Sequence, residues 1–578
     1  MPSIQEDAGQ PKAFDILLVV KTIVITFAVG LIIGAVMAIV SNGFVLGVGW
    51  LADQRENLHV FEVTFAGKII SIAPLACLLV AAIFVIAIKR IFNMTRYHGP
   101  ADSIYVAHHA NDEPDWKSGI GSTLAAFVSA SGGASVGQYG PLVHFGATVG
   151  SLMRRLTRGV LTTEIFLGCG VAGAIAAGFN APITGLVFAH EAILRNFSQK
   201  AIAPIAISSI TAAAVSEWAF GDRNVLALDQ VAPNLVELIP YLLASGPVFG
   251  LVAIAFMLSL RTSARFAANS KFSAPQLIIL AALICGFVGM FIPEILGLGS
   301  STISEMFSDG FDLSYLAVLL VAKIIMTAVC IGFGLFGGVF SPALFVGASI
   351  GAILNKLVGV AGLGALGPAL AVCGMAAVGA AVIGAPISTV LIVLEMTTSY
   401  EFAVAAMLSV VTCKIVSNVF FGHSFFDRQL LDRGINISLG RSHINLMDMS
   451  VMSFASKEKF VSFAVTEETD AAVDTMAKKG FTEACILNEA GKFLGKISMH
   501  SLILRKPNTV GDDVDPSPTV IFSQDSVLTA IEKASTFVGE SIPVVDKNSG
   551  ELRGVITEAD LFQAYLSMQN KTRDLETS

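Results

Sequence analysis

The stretch GASVGQYGPLVHFGATVG, residues 133–150, places Gly137, Gln138, Tyr139, Gly140 and Pro141 directly before a run with helical spacing. The first backbone N–H groups of a helix have no partner within it and carry the positive end of its dipole. A helix start of this kind therefore binds anions. Proline in the first turn costs nothing, because its missing N–H would be unpaired anyway. The tyrosine is the unexpected residue: with a reference pKa of about 10 it does not titrate near neutral pH, and it offers one O–H donor.

A second start of the same kind lies further on. GPLVHFGATVGSLM is echoed by SPALFVGASIGAIL, with Pro141 matching Pro342 and Gly146 matching Gly347, an offset of 201 (342 − 141). Gly338, Val339 and Phe340 of GGVFSP then stand where the first copy has its own Gly-containing turn. CGVAGAIAAGFNAPITGLVFAHE is echoed by CGMAAVGAAVIGAPISTVLIVLE, with Pro182 matching Pro386 and Glu191 matching Glu395, an offset of 204 (386 − 182). Two matched blocks in one order with nearly one offset make an internal repeat. If the halves are inverted, both helix starts point at one anion. Glu191 and Glu395 are read as structural groups at helix ends, because they match across the repeat. His144 is read as a packed histidine and Asp102 as a helix cap.

The elements that must hold these residues are those of a membrane protein. The 578 residues are 54% hydrophobic and 14% charged, against about a quarter charged in soluble domains. The runs Ile16–Val40 and Ile69–Ile88 are each long enough to cross a bilayer core, which takes about 20 residues. Several other apolar runs, among them Gly168–Gly178 and Gly374–Val382, are too short or too Gly-rich for simple spans and read as broken helices. A net charge of −8 and the absence of a basic tract argue against a nucleic-acid partner. The seven cysteines have no CxxC spacing and read as buried thiols, with no metal site.

Composition changes near residue 430, after which the chain reads as soluble α/β. The expected organisation is a cytoplasmic N-terminal segment at 1–15, a transmembrane anion-pathway domain at 16–432 with halves at about 16–220 and 235–430, and a soluble domain at 433–578.

Taken together, these residues resemble the CLC family of chloride channels and proton-coupled chloride transporters. The resemblance rests on GQYGP (family GREGP), GGVFSP (family GxFxP), GFNAPITGLVFAHE (family FNAP…E) and SFFDRQL (family SxYDxxL). The C-terminal region resembles paired CBS modules through GKFLGKISMHSLI and GELRGVITEADLFQAY. The implied fold is an all-α polytopic membrane domain with two inverted repeats and broken helices, plus a small cytoplasmic α/β domain of two CBS modules. The family is homodimeric, with one anion pathway per subunit. Carried over by position, a central anion would meet the amides of Val339 and Phe340, beside Gly338. An outer site would use Gln138, Tyr139 and Gly140.

The sequence departs from the family pattern at the residues that matter most for mechanism. Tyr139 takes the position of the gating glutamate and Gln138 that of the neighbouring arginine. Phe426 takes the place of the central tyrosine, and Pro100 of HGPADSI that of the serine. FAHEAI supplies Glu191 but has Ala192 where coupled members carry an internal glutamate. The expected function is a passive chloride channel with Tyr139 as gate, its hydroxyl reaching the anion in place of the lost ligands. A packed Tyr139 plugging the outer vestibule is the competing expectation. An alternative function is a secondary active transporter, proton-coupled or exchanging anions, or carriage of an anion other than chloride. A divalent-cation transporter would need more acids within its spans, and no enzyme constellation appears. No cofactor is required. The Thr557 and Asp560 pair of the second CBS module implies one adenine-nucleotide site, with a purely structural pair as the competing reading.

Overall fold

The computed structural model describes residues 16–58, 62–65, 68–109, 114–157, 161–221, 234–360, 366–437 and 440–577; the N-terminal segment expected at 1–15 lies outside them. The chain divides into two compact units, the first running to Gly434 and the second carrying Ile435 onward.

Among the described residues of the first unit, seven helices are long and apolar enough to cross a membrane. They begin with the 41-residue helix Ile16–Glu56. Shorter apolar helices lie between them, including Thr163–Phe179, Ala274–Gly289, Ala369–Ile383 and Pro386–Thr397. The breaks have local causes. Thr163–Phe179 ends on Asn180 at φ 53°, and Pro182 opens the next helix. Ala369–Ile383 ends on Gly384 at φ 85°, and Pro386 opens its successor. A left-handed C-cap followed by a first-turn proline is a stop and a restart written into three residues. A short antiparallel hairpin, Glu62–Phe65 with Lys68–Ser71, departs from the all-helical expectation for this unit.

The repeat seen in the sequence is a repeat in packing. A Cβ on Gly146 would overlap the Gly170 carbonyl, and one on Gly347 would overlap that of Gly374. Gly150 stands in the same way against Phe166, and Gly351 against Leu370. Each half thus brings two helices to backbone contact through small residues, the packing that lipid favours because it offers no hydrophobic drive of its own.

Glutamates join the halves. Glu191 accepts from the Ile387 N–H at 2.9 Å, the Ser388 N–H at 2.7 Å and the Ser388 hydroxyl at 2.6 Å. Glu395 accepts from the Ile183 N–H at 2.8 Å, the Thr184 N–H at 2.7 Å and the Thr184 hydroxyl at 2.6 Å. Each acid caps the Pro-led helix of the opposite half. This reciprocity is what a two-fold relation produces.

The second unit contains two copies of one three-stranded sheet. Strand Ser462–Ala464 runs parallel to Glu483–Leu487, which pairs antiparallel with Phe493–Ser498. Ile521–Phe522, Ile542–Val545 and Leu552–Ile556 repeat that order and those directions. Each sheet has its own apolar core, around Met476, Ile486 and Ile497 in the first and Val527, Val544 and Ile556 in the second.

Candidate anion pathway

The two Gly-containing loops meet. Gly137 N–H donates to the Gly338 carbonyl at 2.7 Å, and Gly338 N–H donates back to the Gly137 carbonyl at 2.6 Å. From this pairing the 18-residue helix Tyr139–Leu156 and the 21-residue helix Phe340–Val360 set out. The convergence of two helix starts expected from the repeat is therefore built by a reciprocal main-chain bridge. Gly140 is required there, since a Cβ on it would come within 2.9 Å of Gly338 Cα.

Two cavities flank the paired loops and share no lining residue. One, of about 90 Å³, is bordered by Gln138, Tyr139, Gly178, Phe179, Asn180, Ser341 and Leu344. The other, of about 70 Å³, is bordered by Tyr97, Pro100, Gly140, Gly338, Val339, Phe426 and Arg433. The adjacent residues Tyr139 and Gly140 thus face different cavities. The candidate residues are not gathered in one pocket. Gln138 and Tyr139 line the first cavity, whereas Pro100, Gly140, Gly338, Val339 and Phe426 line the second. Phe340 borders neither cavity; its ring is edge-on to Tyr139 with centroids 5.6 Å apart.

Tyr139 is held on three sides. Its ring stacks on Phe179 at 3.8 Å with planes 13° apart. Its hydroxyl donates to the Gly178 carbonyl at 3.1 Å, and the Gln138 side chain lies beside that hydroxyl. A Cβ on Gly178 would sit 2.6 Å from Tyr139 Cε1, so the glycine makes room for the ring. A phenol has one O–H donor, and here it is directed to a main-chain carbonyl.

Charged groups stand at or near these cavities: Glu217 borders the first, and Asp102 and Arg433 border the second. Lys323 is fully buried, its ammonium donating to the Ile295 carbonyl at 2.9 Å and the Gly297 carbonyl at 3.2 Å. Leu298 and Ser300, in the next turn of that segment, border the first cavity. Asp102 stands on the wall of the second cavity but is neutralised. One oxygen meets Arg96 at 2.7 Å and Arg433 at 2.8 Å, and the other accepts from the Gly99 N–H at 2.9 Å. That last bond caps the helix Pro100–His108, as expected. His144 is 1% exposed, with Nδ1 2.9 Å from the Ser103 hydroxyl.

Among the lining residues absent from the sequence reading are Tyr97, Ser341, Arg433 and Glu217. The hydroxyls of Tyr97 and Ser341 are buried and have no hydrogen-bond partner among the described residues. Ser341 could have been found, since it lies within GGVFSP. Tyr97 and Arg433 lie outside every motif.

In the second unit, Thr557 and Asp560 engage each other. The Thr557 hydroxyl and N–H donate to Asp560 at 2.7 and 3.1 Å, the Asp560 N–H donates back at 3.2 Å, and Lys459 Nζ donates to the other carboxylate oxygen at 3.1 Å. Burial raises the pKa of this carboxyl, but these bonds outweigh it and hold the group below the usual carboxylate range. The Ser498 hydroxyl in the first module caps the helix Met499–Arg505.

A model described as voltage gated chloride channel matches residues 77–418, and one described as CBS domain matches residues 510–567. A voltage-gated ClC-type chloride channel ClcB from Citrobacter koseri is 25% identical over 328 residues, 56% of this chain and 78% of the relative. An H(+)/Cl(-) exchange transporter ClcA from Vibrio parahaemolyticus is 29% identical over 317 residues, 52% of this chain and 66% of the relative. Among solved structures, a eukaryotic CLC transporter superposes with a TM-score of 0.63 at 20% identity, covering 94% of this chain and 98% of that one.

Proposed function

The chain belongs to the voltage-gated chloride channel family, and from that premise we propose that it is a passive chloride channel with Tyr139 as its gate. It is a multi-pass membrane protein of an anion-transporting family, not an enzyme, and its C-terminal region is cytoplasmic. The relatives are named both as channels and as H(+)/Cl(-) exchangers, so the choice between the two rests on this chain's own residues.

One observation carries the passive reading: neither glutamate of the family's proton route is present at its position in the motifs. Tyr139 and Ala192 stand where the family resemblance places the two glutamates. Glu191, directly before Ala192, is committed to the amides of Ile387 and Ser388, and the acid that borders the first cavity is Glu217. The experiment is the reversal potential of the purified protein in planar bilayers, under separate chloride and proton gradients. We expect it to follow chloride alone; movement with the proton gradient would establish coupled transport instead.

The stack on Phe179 and the bond to Gly178 support Tyr139 as a plug at the first cavity over Tyr139 as the anion's ligand. Opening would break one hydrogen bond, worth about 0.5–1.5 kcal/mol, and one aromatic stack of similar worth. A gate closed by about 1–3 kcal/mol opens thermally, without a titrating group.

The family resemblance also supports two copies per assembly, each with its own pathway, which native mass spectrometry of the purified protein would test. For the second CBS module we propose an adenine nucleotide whose ribose takes Asp560 and Thr557 and whose phosphates meet Lys459. Calorimetric titration with ATP tests this, and Asp560→Ala should abolish the heat.

A further inference from the structure

We infer that Tyr97 supplies the side-chain hydroxyl that coordinates the anion in the second cavity, an inference that rests on the anion-pathway reading above. Pro100 and Phe426, the positions from which the family resemblance would bring a hydroxyl, line that cavity and have none to give. Tyr97 lines the same cavity. Its Oη is buried and has no hydrogen-bond partner among the described residues. A buried hydroxyl left unpaired is costly to keep, and phenylalanine would fill the same space without that cost. A ligand for the hydroxyl resolves the contradiction.

The ring is fixed where it can serve. It stacks on Phe336 with centroids 4.6 Å apart and planes 19° apart, and Lys89 Nζ lies 5.6 Å from its centroid. Phe336 directly precedes Gly337 and Gly338, so the stack ties the hydroxyl to the loop whose amides open the helix Phe340–Val360.

The polarity of the surroundings selects an anion. The phenol donates, and the loop offers main-chain N–H groups at a helix start. The carboxylate of Asp102 is shared by two guanidinium groups, Arg96 and Arg433, which leaves that cluster with a net positive charge. A cation placed there would meet donors and a positive cluster. A volume of about 70 Å³ holds a small ion together with part of its hydration.

Tyr97→Phe keeps the ring and removes only the hydroxyl. Chloride binding to the purified full chain, measured by isothermal titration calorimetry, should weaken about tenfold or more, with a melting temperature in chloride-free buffer no lower than that of wild type. Phe426→Tyr in that background should recover part of the loss by offering a hydroxyl from another wall of the same cavity. Wild-type affinity in Tyr97→Phe would overturn the assignment. Should that variant fail to fold, anomalous scattering from bromide-soaked wild-type crystals decides. Bromide within hydrogen-bond distance of Tyr97 Oη supports the assignment, and bromide in the cavity away from it overturns it. Wild-type protein that carries no chloride, or that couples it to protons, would instead count against the channel reading, independently of where bromide binds.

Discussion

The helix starts at Tyr139 and Phe340 are two copies of one device, and they differ in a telling way. Under the offset of 201, Gly137 aligns with Gly338, Pro141 with Pro342, Gly146 with Gly347 and Gly150 with Gly351. These residues do the same job twice: they bridge the loops or let backbones touch. Tyr139 aligns with Phe340, Gln138 with Val339 and His144 with Phe345. At these positions one half carries a polar group and its counterpart does not. Agreement between the halves marks architecture, and disagreement marks where one half carries a polar side chain that its counterpart lacks.

The comparison can be broken at its architectural positions first. Gly146→Leu and Gly347→Leu each drive a side chain into a main-chain carbonyl that cannot withdraw, so both should lose the folded protein. Size-exclusion chromatography in detergent should show aggregate and no symmetric peak. A well-folded variant at either position would remove the backbone contact from the account.

At the positions where the halves differ, the fold should survive and transport should change. Tyr139→Ala removes the stack and the bond to Gly178 together, and chloride flux from liposomes should rise by about tenfold or more, following the 1–3 kcal/mol assigned to the closed gate. Tyr139→Phe keeps the stack and should give a smaller rise, of about two- to tenfold. Phe340→Ala removes an aromatic edge but no hydrogen bond, so it should raise flux less than Tyr139→Ala. Lower flux and weaker chloride binding in Tyr139→Ala would show that the hydroxyl serves the ion.

The swapped glutamates offer a subtler test. Glu191→Gln and Glu395→Gln should destabilise by similar amounts, about 1–3 kcal/mol each, because each replaces an acceptor of main-chain N–H groups with a partial donor. Melting in detergent that distinguished them strongly would assign one of the acids a role beyond capping. Neither variant should alter the reversal potential in a proton gradient.

The smallest effect lies in the soluble unit. Asp560 has its pKa lowered in the folded state. Its contribution is therefore full above the unfolded value of about 3.9 and is lost as pH falls through the lower folded value. Lys459 is largely exposed, so the contribution should stay under about 1 kcal/mol. Thermal melts of the full chain between pH 6 and pH 2 should show Asp560→Asn slightly less stable down to about pH 4 and converging with wild type only below that.

What could be read from the sequence followed the same division. The paired prolines, glycines and glutamates repeat, and a repeat leaves a signal that one chain suffices to reveal. The identity of Tyr139 as the displaced gate residue came from its place in GQYGP. Its hydrogen bond could not be read, because the acceptor is the carbonyl of Gly178, and every residue has a carbonyl. The resemblance puts Pro100 at the family's serine position; it borders the second cavity with Tyr97, which brings a hydroxyl from three residues earlier in a link that no periodicity governs. Arg433 reaches Asp102 across 331 positions of chain, and no local pattern encodes such a pairing.

The exchange of caps between the halves has a consequence for biosynthesis. The helix that opens at Pro182 emerges from the ribosome more than two hundred residues before Glu395, the acid that completes it. Until then its leading N–H groups lack their final acceptor, and unsatisfied amides are poorly tolerated in lipid. The first half must therefore wait at the translocon or the membrane surface in an unfinished state. Truncated chains ending before Glu395 should be recognised by membrane quality control, while a chain extended just past it should escape.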